Sequence, residues 1–459
     1  MSSGSPVTFR DPAGSLRLDA HAVHRRIRPG YEASTREFLR TALFQGWVGR
    51  GLMTPAREVD RDEGLELEHP RLFFISYAWE WCPAQLRTAA ELTLELCEEA
   101  LEAGYILKDA TPDNVLFDGP RPVFVDVLSF ERREPGSPLW LAQGQFVRSF
   151  LLPLLGLQHL GWPLAAMQLR RDGYEPGELY AALSWRWRLW PGILGPVTLP
   201  AWLEGHANSP RANGRYAKPM RQNPEIATAV LLDNLARLRR RVRHAAPPLP
   251  PSRWSSYTAK ALHYSEADHA AKQAFVSRVL AEARPRDVLD LGANTGLYSR
   301  LAAAAGARTV AIDRDPAAVE RLWQRAQAEG SNVLPLVADI ARPTPALGWE
   351  NAETFSLMDR LEGKFDLVLL LALLHHLLLM DQIPLEQVAK FAARTTRKHA
   401  LVEWIPPRDP MFQSLLRGRD ALFSHLDLDA LLTAFHPAFR VAAQHQLANG
   451  RTLVLFEKR

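Results

Sequence analysis

The chain has 459 residues, 47% hydrophobic and 23% charged, as expected of a globular protein with two or three domains that each bury a core. A pI near 9.1 invites a nucleic-acid partner, but the formal net charge is only +4 and is divided evenly between the two halves, so composition demands no polyanion. Two cysteines, Cys82 and Cys97, make neither a disulfide framework nor a zinc set and fit a reducing, cytoplasmic location.

Met1 to Gly14 lacks the apolar core of a secretory signal. Prolines and histidines interrupt the apolar stretches Phe150 to Met167 and Leu367 to Met380, so no membrane span or membrane partner is expected. Residues 1 to 70 read as Arg-rich and irregular, with a helix from Glu32 to Leu43 and a glycine-containing turn from Gln45 to Gly51. Pro70 to Tyr77 reads as a strand, and the apolar spacing from Gln85 to Ala103 predicts a long amphipathic helix.

The helix leads into Leu107-Lys108-Asp109-Ala110-Thr111-Pro112-Asp113-Asn114, followed by Pro122-Val123-Phe124-Val125-Asp126. Asp109 and Asn114 have the spacing of a catalytic loop in which Asp accepts a hydroxyl proton and Asn binds a metal, and Asp126 stands where a second metal-binding Asp belongs. Residues 70 to 130 thus resemble protein-kinase-like and aminoglycoside-phosphotransferase-like proteins, and the resemblance implies an Mg-ATP site. Three departures stand against active phosphotransfer. Leu107-Lys108 replaces the usual His or Arg ahead of the loop Asp, Val127-Leu128 follows Asp126 in place of Phe-Gly, and no phosphate-covering glycine loop or strand lysine is assignable.

From 140 to 245 the pattern is mostly helical. Trp185, Trp187 and Trp190 interleave with Arg186 and Arg188, which reads as a helix anchored on a core with arginines outward, or else as a stacking surface for bases. The basic run Arg237 to Arg243 reads as a solvated helix end. A proline-rich linker, residues 246 to 253, then separates an N-terminal module (1–245) from a C-terminal domain (254–459). Tyr257 and Tyr264 close over a cofactor or pack in a core, and a helix follows from Ala267 to Ala283.

The most informative stretch is Val288-Leu289-Asp290-Leu291-Gly292-Ala293-Asn294-Thr295-Gly296, an apolar run ending in an acid, two glycines four apart, and a helix-compatible segment beyond. Glycines there allow backbone N–H groups to approach a ligand at a helix start. Thr309 to Asp313 is a second strand ending in an acid about 20 residues on, where a carboxylate can bind ribose hydroxyls. Val333 to Asp339 is a third, and Phe365 to Leu371 runs into His375 and His376.

Together these motifs resemble the class I S-adenosylmethionine-dependent methyltransferases, with Asn294 at the family's middle glycine. The resemblance implies a seven-strand Rossmann-like domain that binds S-adenosyl-L-methionine, with Asp290 and Gly292 by its methionine part, Asp313 on ribose, Asp339 facing adenine, and Asn294, Gly296 and Leu371 also binding the cofactor. The fold class expected for the chain is α/β: this domain preceded by a mainly helical, kinase-like (α+β) module.

Methyl transfer requires alignment of an acceptor, exclusion of water and removal of a proton. The candidate bases are His375 and His376 after the fourth strand, and Glu403, which is read as a base, a substrate-binding group or an ion-pair partner. Asp366 starts its strand at the wrong end for chemistry. Pro343 to Glu350 is a loop long enough to form part of a cofactor or substrate wall, and Arg417 and Arg419 are candidates for binding an acidic substrate. The expected reaction is methylation of an O or N acceptor, a small molecule first, held with help from the N-terminal module. RNA methylation and a bifunctional or pseudokinase-type nucleotide-binding protein are the alternatives, and the oligomeric state is left open.

Overall fold

The computed structural model describes residues 10–61, 64–134, 136–204, 223–245, 248–252 and 265–459. The chain divides into two compact units, one formed by residues 1–117 with 122–248 and the other by 118–121 with 249–459.

The first unit opens on a four-stranded antiparallel sheet, where an irregular region was expected. Its strands are β1 (Gly14–Leu18), β2 (Ala22–Ile27), β3 (Arg57–Arg61) and β4 (Gly64–Pro70), in the order β1-β2-β4-β3. Strand β4 alternates Leu65, Leu67 and His69 inward with polar residues outward, the pattern of a sheet with one buried face. The expected single helix is two, Glu32–Leu39 and Ala42–Gly49, and the glycine-containing turn lies largely within the second. The side-chain hydroxyl of Thr41 starts this second helix by accepting from Phe44 N–H. Phe38 and Trp47 from the pair pack on Phe130 at ring separations of 5.3 and 4.9 Å.

The expected strand over 70–77 is absent beyond Pro70. The helix Pro83–Glu102 begins with proline in its first turn, and Gln85 Oε1 accepts from Cys82 N–H at 2.9 Å. The short strands β5 (Tyr105–Leu107), β6 (Val115–Asp118), β7 (Arg121–Phe124) and β8 (Phe130–Arg132) follow, with β5 antiparallel to β8 and β6 beside β7. Helix Pro224–Ala245 buries Leu231, Leu235, Leu238 and Val242. The basic run on it is not simply solvated: Arg239 meets Glu98 at 2.7 Å and Arg243 meets Glu91 at 3.1 Å.

The second unit is a seven-stranded sheet of β9 (Asp287–Leu291), β10 (Arg308–Asp313), β11 (Val333–Val337), β12 (Phe365–Leu370), β13 (Thr396–Trp404), β14 (Phe439–Gln446) and β15 (Thr452–Lys458). The order is β11-β10-β9-β12-β13-β15-β14; β15 is antiparallel to β13 and to β14, and the pairs among β9 to β13 are parallel. Every residue of β9 and β12 is buried, as parallel strands covered on both faces must be. The chain winds outward from β9 to β11 and then returns to β12, so the carboxyl ends of β9 and β12 flank a topological switch point, where such sheets bind ligands.

Candidate active site

A cavity of about 200 Å³ lies at that switch point. Its floor is the turn after β9. Gly292, Asn294 and Gly296 all have positive φ, at 69°, 51° and 78°. A Cβ on Gly296 would overlap Leu322 of the helix Pro316–Glu329, so glycine is required by packing as well as by conformation. Gly292 N–H and Ala293 N–H both donate to Ile312 O, at 2.8 and 3.1 Å, which ties the turn to the end of β10.

The acids expected on strand ends are placed as follows. Asp313 accepts from Asn294 N–H at 2.8 Å through one oxygen and from Asp315 N–H at 2.9 Å through the other. Two backbone donors orient the carboxylate without neutralising it, and burial pushes its pKa up. Asp290 is buried, accepts from Ser299 Oγ at 2.5 Å, and is pushed by burial up to about 7. Asp339 accepts from Ala341 N–H at 2.9 Å and from Arg342 at 3.0 Å, and Arg342 also reaches Asp381 at 3.1 Å. Asp290, Gly292, Asn294, Gly296, Asp313, Asp339 and Leu371 all line the cavity.

The histidines open the helix Leu374–Leu379 after β12, and both line the cavity. Ala372, between strand and helix, is held at φ 54°, a strained value for a residue with a side chain. The His375 and His376 rings are 4.2 Å apart. His376 Nδ1 lies 3.3 Å from Met380 Sδ. His375 is 4% exposed, and its Nδ1 is buried with no hydrogen-bond partner among the described residues. Burial, then the charges of His376, Arg451 and Lys272, hold its pKa well below the ordinary 6.5, so the imidazole is neutral at neutral pH.

Glu403 is not a base facing the cavity. It is fully buried on β13, 2.6 Å from Lys272 Nζ and 3.7 Å from Arg451, and the cations rather than the carboxylate line the cavity. Of its three readings the ion-pair partner is the observed one. Arg451 also holds Asp409 at 2.8 Å, and Lys272 Nζ lies 4.9 Å over the Tyr298 ring. Burial keeps the Lys272 ammonium below the ordinary lysine value even beside Glu403.

Sequence reasoning missed this network. Lys272 was readable, because it falls in the stripe Asp268, Lys272, Phe275, Val276, Val279 that the helix Glu266–Ala283 buries. Arg451 gave no such signal, since only the pairing of β14 with β15 brings it inward. The segment Pro343 to Glu350 does not line the cavity, and Trp349 is exposed. Arg419 is spent on the carbonyls of Leu379, Leu415 and Leu416, and Asp366 binds Arg286 N–H, Arg397 and Lys398 at the amino end of β12. Tyr257 and Tyr264 lie outside the described residues.

In the first unit, Asp126 and Asn114 of the kinase-like triplet are engaged within their own chain, whereas Asp109 Oδ1 is buried with no hydrogen-bond partner among the described residues. Asp126 contacts Arg25 Nη1 and Ser129 Oγ, each at 2.5 Å, and accepts from Leu128 N–H at 3.2 Å. Asn114 Nδ2 donates to Asp109 O and to Ser129 Oγ, both at 3.2 Å. Burial raises the Asp109 pKa, and among the described residues no group of three or more acidic, histidine or cysteine side chains could hold a metal ion. A guanidinium sits on the carboxylate that would have met the cation.

Comparison with known proteins bears on the second unit and on the whole chain. Residues 264–407 match the family model described as a methyltransferase domain, so this unit is that of an S-adenosylmethionine-dependent methyltransferase. The whole chain is 30% identical over 471 residues to the nodulation protein NoeA of Rhizobium meliloti (strain 1021), spanning 98% of this chain and 95% of that one, and it belongs to the same family. Among solved structures, the N-methyltransferase NodS from Bradyrhizobium japonicum WM9 is 16% identical over 42% of this chain and 98% of its own, with a TM-score of 0.31. Magnesium protoporphyrin IX methyltransferase from Synechocystis PCC 6803 is 18% identical over 42% of this chain and 84% of its own, with a TM-score of 0.32. Among the described residues no helix is long and apolar enough to cross a membrane.

Proposed function

We propose that the cavity holds S-adenosylmethionine and that His375 removes the proton from a hydroxyl or amine of a small-molecule acceptor as it is methylated. The observation that carries this reading is the buried, unpartnered Nδ1 of His375 in a ring kept neutral beside the cavity. The residues fit the cofactor. Asp313 offers an oriented, uncompensated carboxylate for ribose hydroxyls, the positive-φ turn of Gly292, Asn294 and Gly296 lines the cavity, and Lys272 and Arg451, ion-paired with Glu403 and Asp409, border it with N–H donors suited to the methionine carboxylate. When bound, the cofactor supplies a methyl group already activated on its sulfonium.

The chain's own share is to align, dry and deprotonate. Leu371, Leu373 and Leu377 on the cavity wall exclude water from the reacting atoms. A neutral imidazole accepts the acceptor's proton as the new bond to carbon forms. The base is ready wherever its neutral form prevails, so turnover should hold as pH falls from 8 to 6.5 and decline only below that.

The test uses cofactor labelled on its methyl group and lysate separated into small-molecule, RNA and protein pools. Label should enter the small-molecule pool, and His375→Ala should slow it by about 100-fold or more while S-adenosylhomocysteine affinity is kept. Label in the RNA or protein pool instead would overturn the acceptor class. Unchanged turnover in the variant would remove His375 from the chemistry.

A further inference from the structure

The tryptophan and arginine segment of the first unit is not a core anchor. The helical turn Trp185–Arg188 buries none of its residues, and Trp185, Trp190 and Trp202 are 67%, 56% and 61% exposed, with Leu189 and Leu203 both at 65%. Contacts link them in small groups. Trp187 packs 5.7 Å from Trp190, the Arg188 guanidinium lies 4.2 Å over the Tyr180 ring, and Trp202 Nε1 donates to Tyr180 Oη at 3.2 Å. An exposed apolar surface of this kind marks a docking site.

We infer that this surface docks on the face of an anionic lipid bilayer. Indole rings combine an apolar body with a polar N–H and settle at the headgroup level, leucines enter the acyl boundary, and arginines meet lipid phosphates. Arg186, 5.5 Å over the Trp185 ring, has no acidic partner among the described residues, so its charge is available to an anionic surface, whereas Arg188 donates to Leu183 O at 2.9 Å and Ala181 O at 3.4 Å.

The composition decides between occupants. Bases stack on aromatic faces, which Leu189, Leu199 and Leu203 do not offer, and the neighbouring basic helix has already paired Arg239 and Arg243 with acids of its own unit. A two-fold contact with a second copy would set the same arginines against themselves.

The experiment is flotation of the full-length protein with phosphatidylcholine vesicles, with and without phosphatidylglycerol. The protein should float with the anionic vesicles, and the triple variant Trp185→Ser, Trp190→Ser, Trp202→Ser should partition at least about tenfold less while its circular dichroism and S-adenosylhomocysteine affinity are unchanged. Arg186→Glu, which touches only surface, should lower binding to the anionic vesicles in the same direction and serves if the triple variant folds poorly. Absence from the vesicle fraction, or equal binding to neutral and anionic vesicles, overturns the proposal. So does dimerisation, or binding to labelled single-stranded RNA, that the triple variant abolishes.

Discussion

Asp313 and Asp126 each follow a short run of strand residues, one in each unit, and each stands where a sequence motif expects a ligand-binding carboxylate. Their surroundings differ in kind. Asp313 is gripped by two backbone N–H groups, which fix its direction and leave its charge to face the cavity. Asp126 is gripped by the Arg25 guanidinium and the Ser129 hydroxyl, so its charge is consumed inside the unit. Both acids are placed by the fold, but only Asp313 keeps its charge for a ligand.

The sharpest way to break this comparison is Asp126→Ala. It leaves Arg25, 7% exposed in its side chain, with only Asp11 at 3.5 Å, and should destabilise the protein by about 3 kcal/mol or more in urea unfolding, with cofactor affinity unaffected. A variant as stable as wild type would mean that the carboxylate is not serving Arg25 and is free for a cation.

Asp290→Asn sharpens the other side. The folded state keeps the Asp290 proton up to about pH 7 while the unfolded chain releases it near the ordinary 3.8, so wild type loses stability as pH rises between those values. The amide has no charge to bury, and the cofactor-free variant should match wild type below pH 3.8 and exceed it by up to ~4 kcal/mol above pH 7. A difference that does not grow with pH would show that the carboxyl ionises normally in the fold. The smallest effect is that of Asp313→Ala, about 10- to 100-fold weaker S-adenosylhomocysteine binding by calorimetry, since one oriented polar contact is lost. Unchanged affinity would mean that Asp313 does not meet the ligand.

The C-terminal sheet was legible because its parallel strands are short apolar runs between turn signals, and because Gly292 and Gly296 are needed for backbone reasons that spacing reveals. The N-terminal sheet was hidden. Its strands carry Arg17, Arg25, Arg26 and Glu66 at solvent or at ion pairs, so the alternation looked like irregular charge. The apolar run Leu72 to Ile75 misled in the opposite sense, since it takes no strand conformation and its side chains are buried or half-buried from a loop.

At the site, strand ends and glycines could be read directly, whereas Glu403 could not be assigned until Lys272 and Arg451 were seen against it. The tryptophans show the limit of local pattern: spacing cannot say whether an aromatic row meets a core or solvent, and here it meets solvent.

The missing side chain at Gly296 has a consequence for how this protein can change. The position a Cβ would take at Gly296 is filled by Leu322, which packs with Ala311, Ala326 and Val333, while the turn's backbone lines the cavity. A drift at this position alters shape and recognition together, so neither can be adjusted there alone. Tuning of affinity passes through side chains such as Asp313, whose loss frees Asn294 N–H but leaves the turn's own backbone bonds to Ile312 intact.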